Sequence, residues 1–332
     1  MTSVTRRLLA AATVGLLALA ATGCTSAAAP TETDSPAAEA GAWPRTVTHE
    51  LGETTIPSQP KKIVSTSLTI TGTLLAIDAP VIASAATTPG DGSDERGFFD
   101  QWSAVATERG LDVLYPDLEV DIESIIAADP DLIVVSTSGA DSAAANYKEL
   151  QDIAPTVVYN YGDKTWEALA AQLGEATGLE ENAATVAADF DARVREVAGE
   201  ITVPAGDTNV IVYNGPEYDT AFAKPGGSHG TLLNALGFRV AGAPDEFDTS
   251  ERARQDFAFL SLENTTAALT GSTVFIVSGT EENKKLLQDT SVLANAPAVA
   301  SGAIYPLGNS SFRIDYYSGS QIVDQVESLF AS

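Results

Sequence analysis

Cysteine, methionine and histidine are nearly absent from this chain: one, one and two residues in 332. A single cysteine excludes a disulfide within the chain. The two histidines, His49 and His229, are far apart, and no cysteine cluster accompanies them. That argues against a site for free zinc or manganese, which needs grouped nitrogen, sulfur or carboxylate ligands. Basic residues are also scarce, 18 against 45 acidic ones, for a net charge of −27. Such a balance argues against nucleic acid as a partner and against adhesion of the protein body to anionic lipid. The acids on long helices read as solvated surface. No Gly-x-Ser-x-Gly elbow, glycine-rich phosphate loop or paired cysteine is present, so the chain does not read as an enzyme. Gly226-Gly227-Ser228-His229 is superficially hydrolase-like. Neighbouring residues at a helix start cannot easily supply a nucleophile, a base and a third group that orients the base.

The N-terminus carries what the composition otherwise lacks. Arg6-Arg7 precedes an apolar run from Leu8 to Ala21, followed by Thr22-Gly23-Cys24. A basic start, an apolar stretch too short to span a bilayer comfortably and small residues before the cut read as a secretory signal. The lone Cys24 after small residues resembles the lipobox of bacterial lipoproteins, in which that cysteine becomes the lipidated mature N-terminus. The twin arginines are also compatible with the export route for folded proteins. Thr25 to Ala42 is rich in Ala, Pro, Thr, Ser and acid without apolar periodicity, so it is expected to be a disordered tether. Its reach is about 20–25 Å r.m.s.. No other segment is apolar for the ~18 residues a membrane span requires.

The remainder predicts a two-lobed α/β protein. The expected units are a signal peptide (1–23), a tether (24–42), an N-terminal α/β lobe (43–180), a linker helix (181–203) and a C-terminal α/β lobe (204–332). Thr46 to Ile56 reads as two short strands about Gly52, and Lys62–Ser65 as a buried strand. Val120–Ile126 with Pro130–Ser136, and Leu260–Asn264 with Ser272–Ser278, form a weak repeat. Each places a short acidic helix before a buried strand that ends near a serine. Alternating strands and helices predict parallel sheets. Between the lobes, Val186, Phe190, Val194, Val197 and Ile201 recur at helical spacing, with charged residues facing the other way. Pro204 and Gly206 are expected to stop this helix. A helix of ~20 residues is a stiff rod of about 30 Å, so one long linker helix resists large closing motions. The last helix is expected to bury Ile322, Val326 and Leu329 on one face.

Several stretches resemble the substrate-binding lipoproteins of iron–siderophore ABC importers, the type with a rigid inter-lobe helix. They are Pro60-Lys-Lys-Ile-Val-Ser65, Pro130-Asp-Leu-Ile-Val-Val135 and Phe222–Gly237, together with the linker helix. Arg96–Gly110 and Ser311-Phe-Arg-Ile-Asp-Tyr-Tyr-Ser318 resemble the ferric-enterobactin (catecholate) branch more specifically. The resemblance implies capture of a ferric siderophore in the inter-lobe cleft and delivery to an ABC permease with its ATPase. The protein would be extracytoplasmic and lipid-anchored, with no cofactor of its own. The iron would be coordinated by the siderophore, so no protein metal ligands are needed. Haem or a corrinoid in the same cleft is the alternative that the shared fold allows. The loop arginines favour an anionic ligand instead.

A ferric tris-catecholate is an anion faced with aromatic oxygens, which guanidinium groups and aromatic faces recognise. The expected ligand-binding residues are therefore Arg96, Trp102, Tyr161, Tyr213, Lys224, Arg252, Arg254, Arg313 and Tyr316. The resemblance also implies that Glu123 and Glu263, in matching places of the two repeats, dock onto arginines of the permease. Acids in a first helical turn also stabilise the helix dipole without any partner.

Overall fold

The computed structural model describes residues 42–250 and 254–331. The signal, the tether up to residue 41, Cys24 and Arg252 lie outside the described residues. An antiparallel hairpin, Arg45–His49 with Gly52–Ile56, opens the body as expected. The first lobe is a five-stranded sheet in the order Asp112–Tyr115, Val81–Ala85, Ile63–Ser65, Leu132–Ser136 and Thr156–Tyr159, parallel throughout. Ser67 caps the first helix, Leu68–Ala76, by accepting from the Ile70 N–H.

The second lobe departs from the parallel prediction. Its sheet runs Phe257–Leu260, Thr220–Ala223, Asp207–Val212, Thr273–Ile276, Ile304–Pro306, with Arg239–Val240 also beside Asp207–Val212. Thr220–Ala223 is antiparallel to both neighbours. The reason is the short Tyr213–Asp219 connection. A parallel return needs a crossover of roughly a dozen residues or more, so the chain can only turn back on itself. The repeat survives in the topology. Leu132–Ser136 and Thr273–Ile276 each follow a short helix, and each pairs in parallel with the first strand of its own lobe.

Helix Glu180–Glu200 lies between the lobes, with Ala183, Phe190, Val194 and Val197 buried. It stops at Ile201, which turns extended and bridges to Ala331. The terminal helix, Tyr316–Phe330, packs against this linker and also against Leu68–Ala76 and Asp100–Glu108 of the first lobe. It buries Ile322, Val323, Val326 and Phe330, whereas Leu329, expected inside, is 40% exposed. The helix meets more than one neighbour, so its buried stripe turns toward Phe330. Arg193 of the linker bonds Glu196, Asp324 and Glu327, tying the two helices at their surface. One apolar core runs from Ile63 and Leu74 through Phe190 and Val194 to Phe275 and Val323. A core shared by both lobes opposes hinge motion more strongly than a linker alone could.

The contact of the terminal helix with the first lobe is close. A Cβ on Gly72 would lie 2.3 Å from Asp315 Oδ2 and 2.9 Å from Trp102 Cδ1. Asp315 caps the terminal helix by accepting from the Ser318 N–H. Burial pushes its carboxyl up to about 6, against the Ser318 and Gln101 hydrogen bonds that favour the anion. The native state therefore keeps a proton that the unfolded chain releases, between about pH 4 and 6. Stability from this group falls as pH rises through that window. Asp315→Asn keeps a capping oxygen but cannot titrate. Relative to the Asn variant, the unaltered protein should lose thermal stability between pH 4 and 7. A constant difference in Tm across that range would remove Asp315 as the cause.

Candidate functional site

Between the lobes lies a cavity of about 820 Å³. The first lobe contributes Ser138 and Gly139 after Leu132–Ser136, and Asn160 and Tyr161 after Thr156–Tyr159. These are the carboxyl ends of parallel strands, where ligands of open α/β sheets sit. The second lobe contributes Asp219, Thr249, Ser250, Arg254 and Asp256, Phe259 on its edge strand, and Arg313. A smaller recess of about 60 Å³, lined by Trp166, His229, Phe257 and Phe312, adjoins it and shares Tyr161, Asp256 and Arg313.

Arg313 is held by the backbone on both sides of it. The Ser318 hydroxyl donates to the Arg313 carbonyl (2.6 Å) and accepts from the Asp315 N–H (2.9 Å). On the other side, His229 Nε2 lies 2.7 Å from the Ser311 carbonyl. A carbonyl only accepts, so Nε2 carries the proton. Burial holds the His229 pKa down to about 4, and the ring stays neutral. His229 packs on Phe257, which stacks on Phe312 with an interplanar angle of 8°. The Gly-rich helix start thus supplies an anchoring histidine and no nucleophile–base pair. The Arg313 guanidinium lies over two rings, 5.5 Å from the Tyr161 centroid and 4.8 Å from that of Phe312. Among the described residues no carboxylate forms an ion pair with it.

Arg254 also faces the cavity, over the Phe259 ring at 5.4 Å. Its fork is engaged by Asp256, Nε to Oδ1 at 2.8 Å and Nη2 to Oδ2 at 2.6 Å. Burial works against the Asp256 anion, but this pairing still holds its carboxyl below the usual carboxylate range. Lys224 sits behind the cavity wall, donating to Asp248 Oδ2 (3.1 Å) and the Arg254 carbonyl (2.9 Å). It braces the loop that carries Arg254.

Tyr161, Arg254 and Arg313 are thus the predicted residues brought together. Arg96, Trp102, Tyr213 and Tyr316 are placed elsewhere. Arg96 pairs with Asp94, donates to the Ser103 carbonyl and Thr107 Oγ1, and covers Phe98. Its donors serve the helix that follows, Asp100–Glu108. Trp102 is fully buried against Phe98 and Phe99. Tyr213 is buried in the second lobe, its hydroxyl 2.7 Å from Thr290 Oγ1. Tyr316 packs on Trp166 and Phe190 where the helices join. Each aromatic lies where its apolar area is best hidden, which the chain position of a single residue does not reveal. Glu123 and Glu263 are exposed in the first turns of Ile122–Ala127 and Leu262–Ala268.

Sequence reasoning missed Phe257, Phe259 and Phe312 as aromatic walls, and the carboxylates Asp163, Asp219 and Asp256 beside the arginines. Phe312, next to Arg313 in the chain, was within reach of the expectation that guanidinium groups and aromatic faces together recognise the ligand. The acids were not, because an acidic chain makes every acid look like solvated surface.

The periplasmic binding protein family model matches residues 63–310. The ferric enterobactin-binding periplasmic protein FepB of Escherichia coli O6:H1 is 42% identical over 297 residues, covering 89% of this chain and 93% of FepB. The iron(3+)-hydroxamate-binding protein YxeB of Bacillus subtilis is 26% identical over 272 residues, 79% of this chain and 77% of that protein. Among solved structures, holo-ViuP superposes with a TM-score of 0.82 at 41% identity, covering 88% of this chain and 96% of ViuP.

Proposed function

Because the chain belongs to the periplasmic binding protein family, we propose that it is the substrate-binding component of an ABC importer, capturing a ferric siderophore of the catecholate class. The ligand sits in the inter-lobe cavity, against Arg254, Arg313 and the faces of Tyr161, Phe259 and Phe312. The observation that carries this reading is Arg313: a guanidinium with no carboxylate in an ion pair with it among the described residues, laid over two rings on the wall of an 820 Å³ cavity. Such a group can donate to catecholate oxygens and stack on the ligand's rings. The name that FepB carries, ferric enterobactin-binding, supports the same class. Iron arrives inside its chelate, so the protein supplies charge and shape and no metal ligands. No group of three or more metal-ligating side chains occurs among the described residues.

The protein is anchored outside the cytoplasm through a lipid on Cys24, with Thr25–Ala42 as its tether, and hands its cargo to the permease through Glu123 and Glu263. The lipobox-like sequence supports the anchor. No helix among the described residues is long and apolar enough to cross a membrane.

Titration with ferric enterobactin, a ferric hydroxamate, haem and cobalamin tests the ligand class. Trp166 lines the recess beside the cavity, whereas Trp102 is buried in the first-lobe core, so Trp166 is the useful fluorescence reporter. Ferric enterobactin alone should quench it. Binding of the hydroxamate or haem instead overturns the catecholate assignment. Silence from all four, confirmed by calorimetry, overturns the transport reading.

A further inference from the structure

Asp141 is 7% exposed and accepts three hydrogen bonds. Its Oδ2 takes the Ser67 hydroxyl at 2.6 Å and the Thr69 N–H at 2.9 Å. Its Oδ1 takes the Tyr161 hydroxyl at 2.7 Å. A carboxylate has no proton to give, so Tyr161 must be the donor, and a phenol has only one. Gly139 closes on the same hydroxyl from the other side. Its φ is +75°, and a Cβ there would stand 1.8 Å from the Tyr161 oxygen. The hydroxyl is thus wedged between Asp141 and the Gly139 backbone, while the ring carries Arg313 on its face.

We propose that Asp141 is a positioning and specificity-determining residue of the cleft: by taking the only proton of the Tyr161 hydroxyl, it makes Tyr161 offer the ligand a ring face and an oxygen lone pair, and no hydrogen-bond donor. Anionic recognition is left to the arginines. A ligand group that itself donates, such as an amide N–H, is favoured beside the Tyr161 oxygen over a bare catecholate oxygen. A site's choice between donor and acceptor is among the strongest discriminators available to it. The proposal rests on the ligand reading above.

Asp141→Asn inverts the arrangement. The Oδ2 position faces a backbone N–H that cannot turn away, so the amide must keep its oxygen there. Its NH₂ then faces Tyr161, whose oxygen becomes the acceptor and whose proton turns toward the cleft. Two measurements test this. The first needs no ligand. The Raman tyrosine doublet of Tyr161, isolated by subtracting the Tyr161→Phe spectrum, should report a strong donor in the unaltered protein and an acceptor in Asp141→Asn. The second is a double-mutant cycle of Asp141→Asn and Tyr161→Phe, read as ferric enterobactin affinity. Asp141→Asn should tighten binding by about three- to tenfold, the net gain from one hydrogen bond, and most of that gain should vanish in the Tyr161→Phe background. Thermal unfolding confirms that each variant is folded. A doublet unchanged by Asp141→Asn, or purely additive effects in the cycle, overturns the proposal. If the unaltered protein does not bind ferric enterobactin, the ligand reading fails, and the spectrum alone decides for or against Asp141.

Discussion

Arg313→Glu should weaken ferric enterobactin binding by roughly a hundredfold or more, about 2.7 kcal/mol, while leaving the fold intact. The two halves of this expectation have separate causes. The fold is spared because no carboxylate among the described residues pairs with Arg313, so reversal strands no buried partner there. The backbone of residues 311–315 is held by His229 and Ser318, not by the guanidinium. Binding suffers because the nearby acids Asp163, Asp219 and Asp256 already lie on the cavity wall, and Arg254 is committed to Asp256. A new carboxylate at 313 would turn three acids against two arginines on the described wall into four against one, and so repel an anionic ligand. Arg313→Lys should recover part of the loss, since it restores charge but not the planar stack on Tyr161 and Phe312. Calorimetric titration of both variants, with Tm as the check on folding, decides the matter. Affinity within twofold of the unaltered protein would place Arg313 outside the site.

Glu123→Arg combined with Glu263→Arg should leave ligand affinity within about twofold and reduce uptake of the iron-loaded siderophore at least tenfold in cells that depend on this protein. Both side chains are exposed, and neither lines the inter-lobe cavity. The helices they sit on are capped by other residues, Asp121 accepting from the Glu123 and Ser124 N–H groups and Ser261 from that of Asn264. The substitutions therefore cost only the interaction with the helix dipole, about 0.3–1 kcal/mol each. Against an arginine-bearing permease surface, however, they turn two attractions into two repulsions. Uptake at the normal rate in the double variant would remove the docking role from these acids.

What was legible before the structure was largely what repeats or alternates. The 3.6-residue spacing of Val186, Phe190, Val194 and Val197 identified the linker. The paired units around Glu123 and Glu263 fold as matching helix–strand modules. Arg313 and Arg254 were singled out because, in a chain short of cations, those in loops are candidates, and Tyr161 because it follows a strand; the structure brings the three to one cavity.

Arg96, Trp102, Tyr213 and Tyr316, also expected at the ligand, are placed away from that cavity. Local sequence establishes that a residue is basic or aromatic and near a strand end. It does not establish whether Asp94 is close enough to claim the guanidinium, or whether Phe98 and Phe99 bury the indole. Those outcomes depend on packing between segments distant in the chain.

The sequence by itself therefore determined the class of the molecule: two α/β lobes, one stiff connecting helix and a scarcity of cations that singles out each loop arginine. These follow from periodicity and composition, which are local properties. Only the tertiary structure decided which of those arginines has no ion pair among the described residues. It also decided that Thr220–Ala223 runs antiparallel, that the terminal helix closes onto the first lobe through Asp315 and Gly72, and that Asp141 consumes the proton of Tyr161. Each of these depends on atoms within a few ångströms whose residues lie up to hundreds of positions apart, and neither pairing nor burial can be assigned until the chain has brought them together.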